Sequence, residues 1–183
     1  MKPFKVMLVA LLGAQAFGAF CAEDLGIDVE RTGERFSVRA QATLAVPAEL
    51  AWQVLTDYEN LPRFIPGLTR SKVQQRGANR ALLEQKGEAR FLFFSFPIEV
   101  RVEVRESPHA WITSRAVGGN LKRMLGRYQL DADGAGVRLS YAGELEPDFD
   151  LPPLIGPFVL RTMVEEQFTA MVAEIERRGA LAR

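Results

Sequence analysis

One segment limits what this chain can fold into. Ile155 to Arg178, IGPFVLRTMVEEQFTAMVAEIERR, is the only long and strongly periodic helical stretch after the N-terminal leader. Leu160, Val164, Phe168, Met171 and Ile175 recur at helical spacing, with Met163 and Val172 beside them, and form one apolar stripe. Glu165, Glu166, Glu176 and Arg177 fall on the opposite side. Pro157 suits a first turn, where its missing N–H is not needed. Arg177 and Arg178 suit the negative end of the helix dipole, and Gly179 is placed as a C-cap glycine. In a chain otherwise rich in strand patterns, such a helix must bury its stripe on a sheet. The stripe is rich in Met and Phe. Either these side chains fill an ordinary core, or helix and sheet stand apart and they line a cavity.

The sheet is legible as alternation. Phe36, Val38, Ala40, Ala42, Leu44 and Val46 alternate with polar residues, which is the period of a half-buried strand. Pro47 opens a short helix, AELAWQVLTDY, with Trp52, Val54 and Leu55 on its buried side. Pro62 and Pro66 leave room for one further short turn. Strands are expected over 68–75, 81–90, 98–104 and 111–116. A hairpin of 121–132 and 137–145 turns at Asp133-Gly134. Gly118-Gly119-Asn120 reads as a turn, and Pro147, Pro152 and Pro153 as a stiff linker into the last helix. Phe91, Phe93, Phe94 and Phe96 crowd what reads as a turn, with a bend near Ser95. Consecutive strands with short turns give an antiparallel sheet. The expected class is α+β: a seven-stranded curved antiparallel sheet around a long C-terminal helix, with two short helices after the first strand.

With 183 residues, 48% hydrophobic and 25% charged, the chain can build a core as one domain. Lys2 and Lys5 precede an apolar run, Val6 to Phe20, that is short for a membrane span. The pattern reads as a secretory signal peptide over 1–22, cut near Cys21 or Ala22; a membrane tether is the alternative. Residues 23–34 are polar and mixed and are expected to be a flexible lead-in to a domain at 35–179. Removing Lys2 and Lys5 from the 23 basic residues leaves 21 against 23 acidic ones, with no long basic run. Nucleic acid is therefore not an expected partner. The single cysteine, Cys21, lies at the leader, so the domain must hold together without an internal disulfide. A periplasmic monomer is expected.

Catalytic chemistry has few candidates. The only histidine, His109, follows Pro108 at a turn and has no second His or Cys for a metal site. No nucleophile elbow, zinc spacing or phosphate-binding loop is present, and no cofactor is expected. The apolar residues say more. Trp111, Met124, Tyr128, Met163 and Phe168 could supply cavity walls. Phe93, Phe94 and Phe96 read either as strand packing or as a greasy lip that meets a ligand or, transiently, a membrane. Arg123 and Arg127 share a strand face. They are either a solvated outer pair or two guanidiniums holding a ligand's carboxylate, phosphate or quinone oxygen.

AELAWQVLTDYENLPRFIPGLTRSKV resembles the start of the SRPBCC superfamily, the START-like or polyketide cyclase/dehydrase group. The matching positions are Trp52, Val54, Leu55, Asp57, Tyr58, Leu61, Pro62, Pro66 and Gly67; Gly118 to Arg123 and the proline-rich entry to the last helix resemble it too. The coenzyme Q-binding proteins are the subgroup most alike. The resemblance implies a helix-grip fold with a hydrophobic cavity between sheet and helix, in a group that binds lipids, sterols, polyketides or quinones and includes a few cyclases and hydrolases. It carries over no catalytic residue. A carrier of a hydrophobic small molecule is thus expected over an enzyme, because no constellation of His, Cys or carboxylates supports catalysis. A partner-binding domain with a filled core is the third reading.

The leader makes a direct prediction. The intact mass of the exported protein should correspond to a chain starting near Ala22 or Glu23, and recovery of the full-length chain in the membrane would overturn it.

Overall fold

The structure, a computed structural model, describes residues 23–91, 94–148 and 156–182. The leader, Phe93 and the Pro152-Pro153 linker lie outside the described residues. The chain runs β1 (Glu23–Thr32), β2 (Arg35–Leu44), α1 (Ala48–Leu55), a 3-10 turn (Leu61–Arg63), β3 (Leu68–Arg76), β4 (Arg80–Phe91), β5 (Phe94–Ser107), β6 (Trp111–Gly119), β7 (Leu121–Asp133), β8 (Gly136–Pro147) and α2 (Gly156–Leu181). All eight strands form one antiparallel sheet in the order β1-β2-β8-β7-β6-β5-β4-β3. This is the helix-grip fold with one strand more than the seven expected.

The additional strand is β1, where the sequence reading placed a flexible lead-in. Ile27 pairs with Ala40 and Val29 with Val38, so both extend the inner face beyond β2. Thr32 pairs with Arg35 across Gly33-Glu34, and Gly33 takes a φ of 64°, as tight hairpins require of a first loop residue. The alternation of Leu25, Ile27 and Val29 with polar residues carried that signal.

Alternation sorts the sheet into two faces. Phe36, Val38, Ala40, Ala42 and Leu44 of β2 point inward with Val137 and Leu139 of β8, Leu130 of β7, and Val100, Val102 and Val104 of β5. The stripe of α2 closes on them: Leu160, Phe168, Met171, Val172 and Ile175 are buried. The far end of the inner face is capped by α1 and the loop after it, through Val54, Leu55, Tyr58 and Leu61. There a bulge between Val73 and Gln75 turns Arg76 inward. Its guanidinium grips Glu106 through two hydrogen bonds of 2.9 and 3.0 Å, and the Tyr58 hydroxyl donates to the same carboxylate at 2.7 Å. Burial and then the bond to Glu106 push the Tyr58 phenol above its ordinary range.

Two further expectations are corrected. Gly179 is not a C-cap, because α2 continues to Leu181. It is a point of close approach: a Cβ there would stand 2.6 Å from Val46 Cγ1, so only glycine lets the helix press on the β2–α1 connection. The chain does not bend at Ser95 either, since pairing is continuous from Arg90↔Ser95 to Phe91↔Phe94. Pro97 is accommodated within β5 because β6 pairs only from Val100 onward. In its place Asn120 binds the strand, donating from Nδ2 to the Pro97 carbonyl and accepting from Glu99 N. Gly119, at φ 115°, brings Asn120 there; a Cβ would sit 2.0 Å from the Glu99 carbonyl oxygen.

The C-terminal part of α2 is fixed by charge as well as packing. Glu174 accepts from Arg177 Nε at 2.7 Å and from Arg178 Nε at 2.7 Å, and Arg178 reaches Asp57 at 2.9 Å. The bond from Arg177 chiefly, with Arg178 adding and burial opposing, lowers the Glu174 pKa from 4.5 to about 2. A depressed carboxylate pKa contributes stability that is present above its unfolded value and lost as pH falls through the folded one. Glu174→Gln is therefore expected to lower stability at pH 7 by about 1–2 kcal/mol. It should also flatten the acid limb between pH 4.5 and pH 2. Denaturant melts across pH check this, and an unchanged acid limb would remove Glu174 from the account.

Candidate ligand cavity between the sheet and the C-terminal helix

The register of three neighbouring strands hollows the inner face. Gly126 of β7 lies directly opposite Gly143 of β8, and Ser114 of β6 continues the row. The two bare positions make room for the Tyr141 ring to lie along the sheet: a Cβ at Gly143 would stand 2.6 Å, and one at Gly126 3.1 Å, from its hydroxyl oxygen. The flanking rows are large: Tyr128 pairs with Tyr141 on one side and Met124 with Leu145 on the other. These hold α2 off the floor. The space left is a cavity of about 140 Å³ between Phe36, Val38, Tyr128, Tyr141, Gly143 and Leu145 below and Leu160, Met163, Val164 and Phe168 above. A second lobe of about 130 Å³ adjoins it under Gly67, Leu68, Gln85, Ile98 and Val100. Met124, Leu145, Met163 and Gln167 line both lobes.

Among the described residues the inner side of the wall is largely apolar and presents no charge. Lys86, Glu88 and Glu144 border the lobes but direct their charges outward, to Glu99 at 3.0 Å, to Arg90 and Ser95, and to Arg123 at 2.9 Å respectively. The polar groups that remain are the Tyr128 and Tyr141 phenols, packed at 4.7 Å between ring centroids and tilted by 41°, the Gln167 amide, and the Gln85 amide, which donates to Ser71 Oγ at 3.2 Å. Burial pushes both phenols above the ordinary tyrosine range, and the neighbouring Tyr141 adds to the effect at Tyr128. Both therefore stay protonated at neutral pH. Gln167 Nε2 donates to the Pro66 carbonyl at 3.2 Å and ties α2 to the loop before β3. That loop lies tightly on β4: Glu88 N donates to the Gly67 carbonyl at 2.8 Å, and a Cβ at Gly87 would meet the Gly67 oxygen at 2.3 Å.

The residues singled out from the sequence divide. Met124, Tyr128, Met163 and Phe168 come together around the cavity. Trp111 does not: it pairs with Gln129 on the outer face, where Arg127 stacks 5.1 Å above its ring. Arg127 also donates to Gln129 Oε1, and Arg123 binds Glu144, so both guanidiniums are exposed outer-face groups and neither reaches the cavity. Phe96 is on the inner side opposite Ala89 but lines neither lobe. Phe93, and the side chain of Phe94, lie outside the described residues. His109 is exposed at the β5–β6 turn with a φ of 61° and packs 5.9 Å from Trp52. A wider hollow of about 670 Å³ crosses the outer face of β1, β2, β8 and β7, bordered by Asp28, Arg39, Arg127 and Asp131. It is a more open surface trough rimmed by charged groups, so the smaller, more enclosed inner cavity is the candidate site. The sequence reading missed Tyr141 and Gly143 as site residues.

The family described as polyketide cyclase/dehydrase and lipid transport matches residues 35–179. No curated protein matches the chain in sequence. Among solved structures, the Zhui aromatase/cyclase from Streptomyces sp. is similar at a TM-score of 0.66 and 18% identity, over 79% of this chain and 95% of that one. A STAR-related lipid transfer protein from Xanthomonas axonopodis is similar at 0.67 and 16%, over 86% and 96%. A START superfamily protein from Mycobacterium smegmatis is similar at 0.64 and 14%, over 77% and 97%. At these identities the likeness is one of fold.

Phe168 tests the wall. Its ring is 2% exposed and packs into the core while one face borders the cavity. Phe168→Ala is expected to cost about 3 kcal/mol, the lower end for buried phenylalanine, because that face already lacks neighbours. Urea unfolding measures this, and a loss below about 1 kcal/mol would contradict the packing described.

Proposed function

The chain belongs to the polyketide cyclase/dehydrase and lipid transport family, and from that premise we propose that it binds and carries a hydrophobic small molecule between the sheet and α2. The observation that carries this reading is the two-lobed, largely apolar cavity between α2 and a floor of Tyr128, Tyr141, Gly143 and Leu145. A partly enclosed apolar space under a helix is what a greasy ligand gains from. The family description and the lipid transfer protein among the similar structures support the same reading. The aromatase/cyclase among them raises the alternative of a reaction on such a molecule. Among the described residues, however, the titratable groups facing the cavity are two phenols held protonated, which are poor bases at neutral pH. Carriage is the reading we adopt. The basic, then apolar start of the chain supports a place of action after export.

At about 140 and 130 Å³ the lobes are small beside the roughly 300 Å³ at which ligand pockets begin. Loading of anything longer than two rings must therefore displace Met163 or break the Gln167–Pro66 bond. N-phenyl-1-naphthylamine, a neutral fluorophore that brightens in apolar surroundings, is a suitable probe. The wild-type protein is expected to bind it at micromolar concentration, and Met163→Trp, which fills the junction of the lobes, to bind at least about tenfold more weakly with an unchanged melting temperature. Equal binding by both proteins would place the probe elsewhere and reject the cavity as the binding site.

A further inference from the structure

We propose that the cavity selects a neutral ring system bearing a carbonyl oxygen, with the Tyr141 hydroxyl as the donor that holds that oxygen and Tyr128 as its partner. The proposal rests on the reading of the cavity as a binding site and adds the chemistry of its ligand.

Placement of the donor follows from the glycines. A Cβ at Gly143 would stand 2.6 Å from the Tyr141 hydroxyl oxygen, and one at Gly126 would stand 3.1 Å from it. Tyr141 can lie along the floor, with its hydroxyl over the hollow, only because both positions are bare. Among the described residues that hydroxyl has no hydrogen-bond partner, and neither has that of Tyr128. Yet among the described residues no fully enclosed side-chain nitrogen or oxygen lacks a partner. Both hydroxyls therefore open onto free space, and the space their rings line is the cavity. A phenol that keeps its proton offers one strong donor, and a donor shut away by a hydrocarbon ligand would lose its bond to water without replacement.

The charge of the ligand follows from what is missing on the inner wall. A carboxylate or phosphate brought inside would need a cation, since an unpaired buried anion is strongly disfavoured. Arg123 and Arg127 could have served, but both stand on the outer face. The acceptor that suits two neutral O–H donors is a neutral oxygen. Size supplies the rest: a dry cavity of about 150 Å³ accommodates benzene. Lobes of about 140 and 130 Å³ take one ring each, and a fused pair spans the junction at Met124 and Met163.

Three probes of one shape separate the possibilities by calorimetry: 1-tetralone, tetralin and 1-naphthoate. The wild-type protein is expected to bind 1-tetralone about tenfold more tightly than tetralin, and 1-naphthoate most weakly. Tyr141→Phe combined with Tyr128→Phe should erase the preference for the ketone while leaving tetralin affinity within about twofold. Equal wild-type affinities for 1-tetralone and tetralin would overturn the proposal and leave the cavity reading standing. Failure of all three to bind would take both down. Tightest binding of 1-naphthoate, or a preference that survives the double substitution, would also overturn the proposal. Infrared spectra of 1-tetralone bound to the wild-type protein need no variant. The carbonyl stretch should fall below its value in cyclohexane, and an unshifted band would refute the hydrogen bond.

Discussion

An eight-stranded sheet offers more inner surface than one helix can cover, and the fold is the resolution of that mismatch. Curvature brings the inner faces of β2, β8, β7 and β5 toward a common axis, and α2 lies along it with Ile175 wholly enclosed. The part of the sheet the helix does not reach is covered by α1 and the turn after it. What coverage remains imperfect is concentrated in one place, under Leu160 to Phe168, instead of being spread as small voids. Interiors tolerate few gaps larger than a water molecule, so a gap of ring size in the middle of a sheet is a built feature.

That gap is a property of register. Gly126 and Gly143 stand opposite each other, and the bare ground they share is where the Tyr141 ring lies. The bulky pairs on either side then act as spacers. Tyr128 with Tyr141 and Met124 with Leu145 keep the helix from settling onto the glycines. A one-residue shift of β7 against β8 would turn Gly126 to the outer face and Arg127 inward while Gly143 kept its face, so the hairpin at Gly134 that fixes this register also fixes the cavity.

The sheet and the helix were legible because their signals are local. Alternation and turn signals marked seven strands, and the periodic stripe marked α2 with most of the residues it buries, though not Val159 or Glu174. β1 was passed over because its alternation is short and interleaved with charge. Contacts that depend on a distant partner left no such trace: Gly179 looked like a helix stop because its neighbour, Val46, is far away in sequence. The site itself could have been read more sharply. Arg123 and Arg127 lie four residues apart on one face of β7, and Met124 and Tyr128 lie on the other, so the period of a strand forbids both pairs from lining one cavity. Choosing the apolar pair as inward decides the matter against the arginines. Trp111 follows, since its cross-strand neighbour Gln129 shares the arginine face. The glycine pair was beyond reach, because it requires knowing which residue of β8 stands opposite which residue of β7.

The distribution of polar contacts along α2 completes the picture. Beyond Phe168 the helix is held by the buried Met171, Val172 and Ile175, by the contact of Gly179 with Val46, and by the Glu174, Arg177, Arg178 and Asp57 network. Over the cavity its hold is different: Val159 and Leu160 are buried, but Met163, Val164 and Gln167 are only half-buried, and Gln167 joins Pro66 by a neutral hydrogen bond. Charge-assisted bonds are about twice as strong as neutral ones, and fully packed side chains contribute more than those facing a void. The same helix is thus firmly fixed where it closes the core and loosely fixed where it roofs the cavity. Local opening draws on the weakest contacts first. The roof can therefore yield to a ligand while the core beyond Phe168 stays intact, which lets a single buried helix serve both as the keystone of the fold and as the wall of a site.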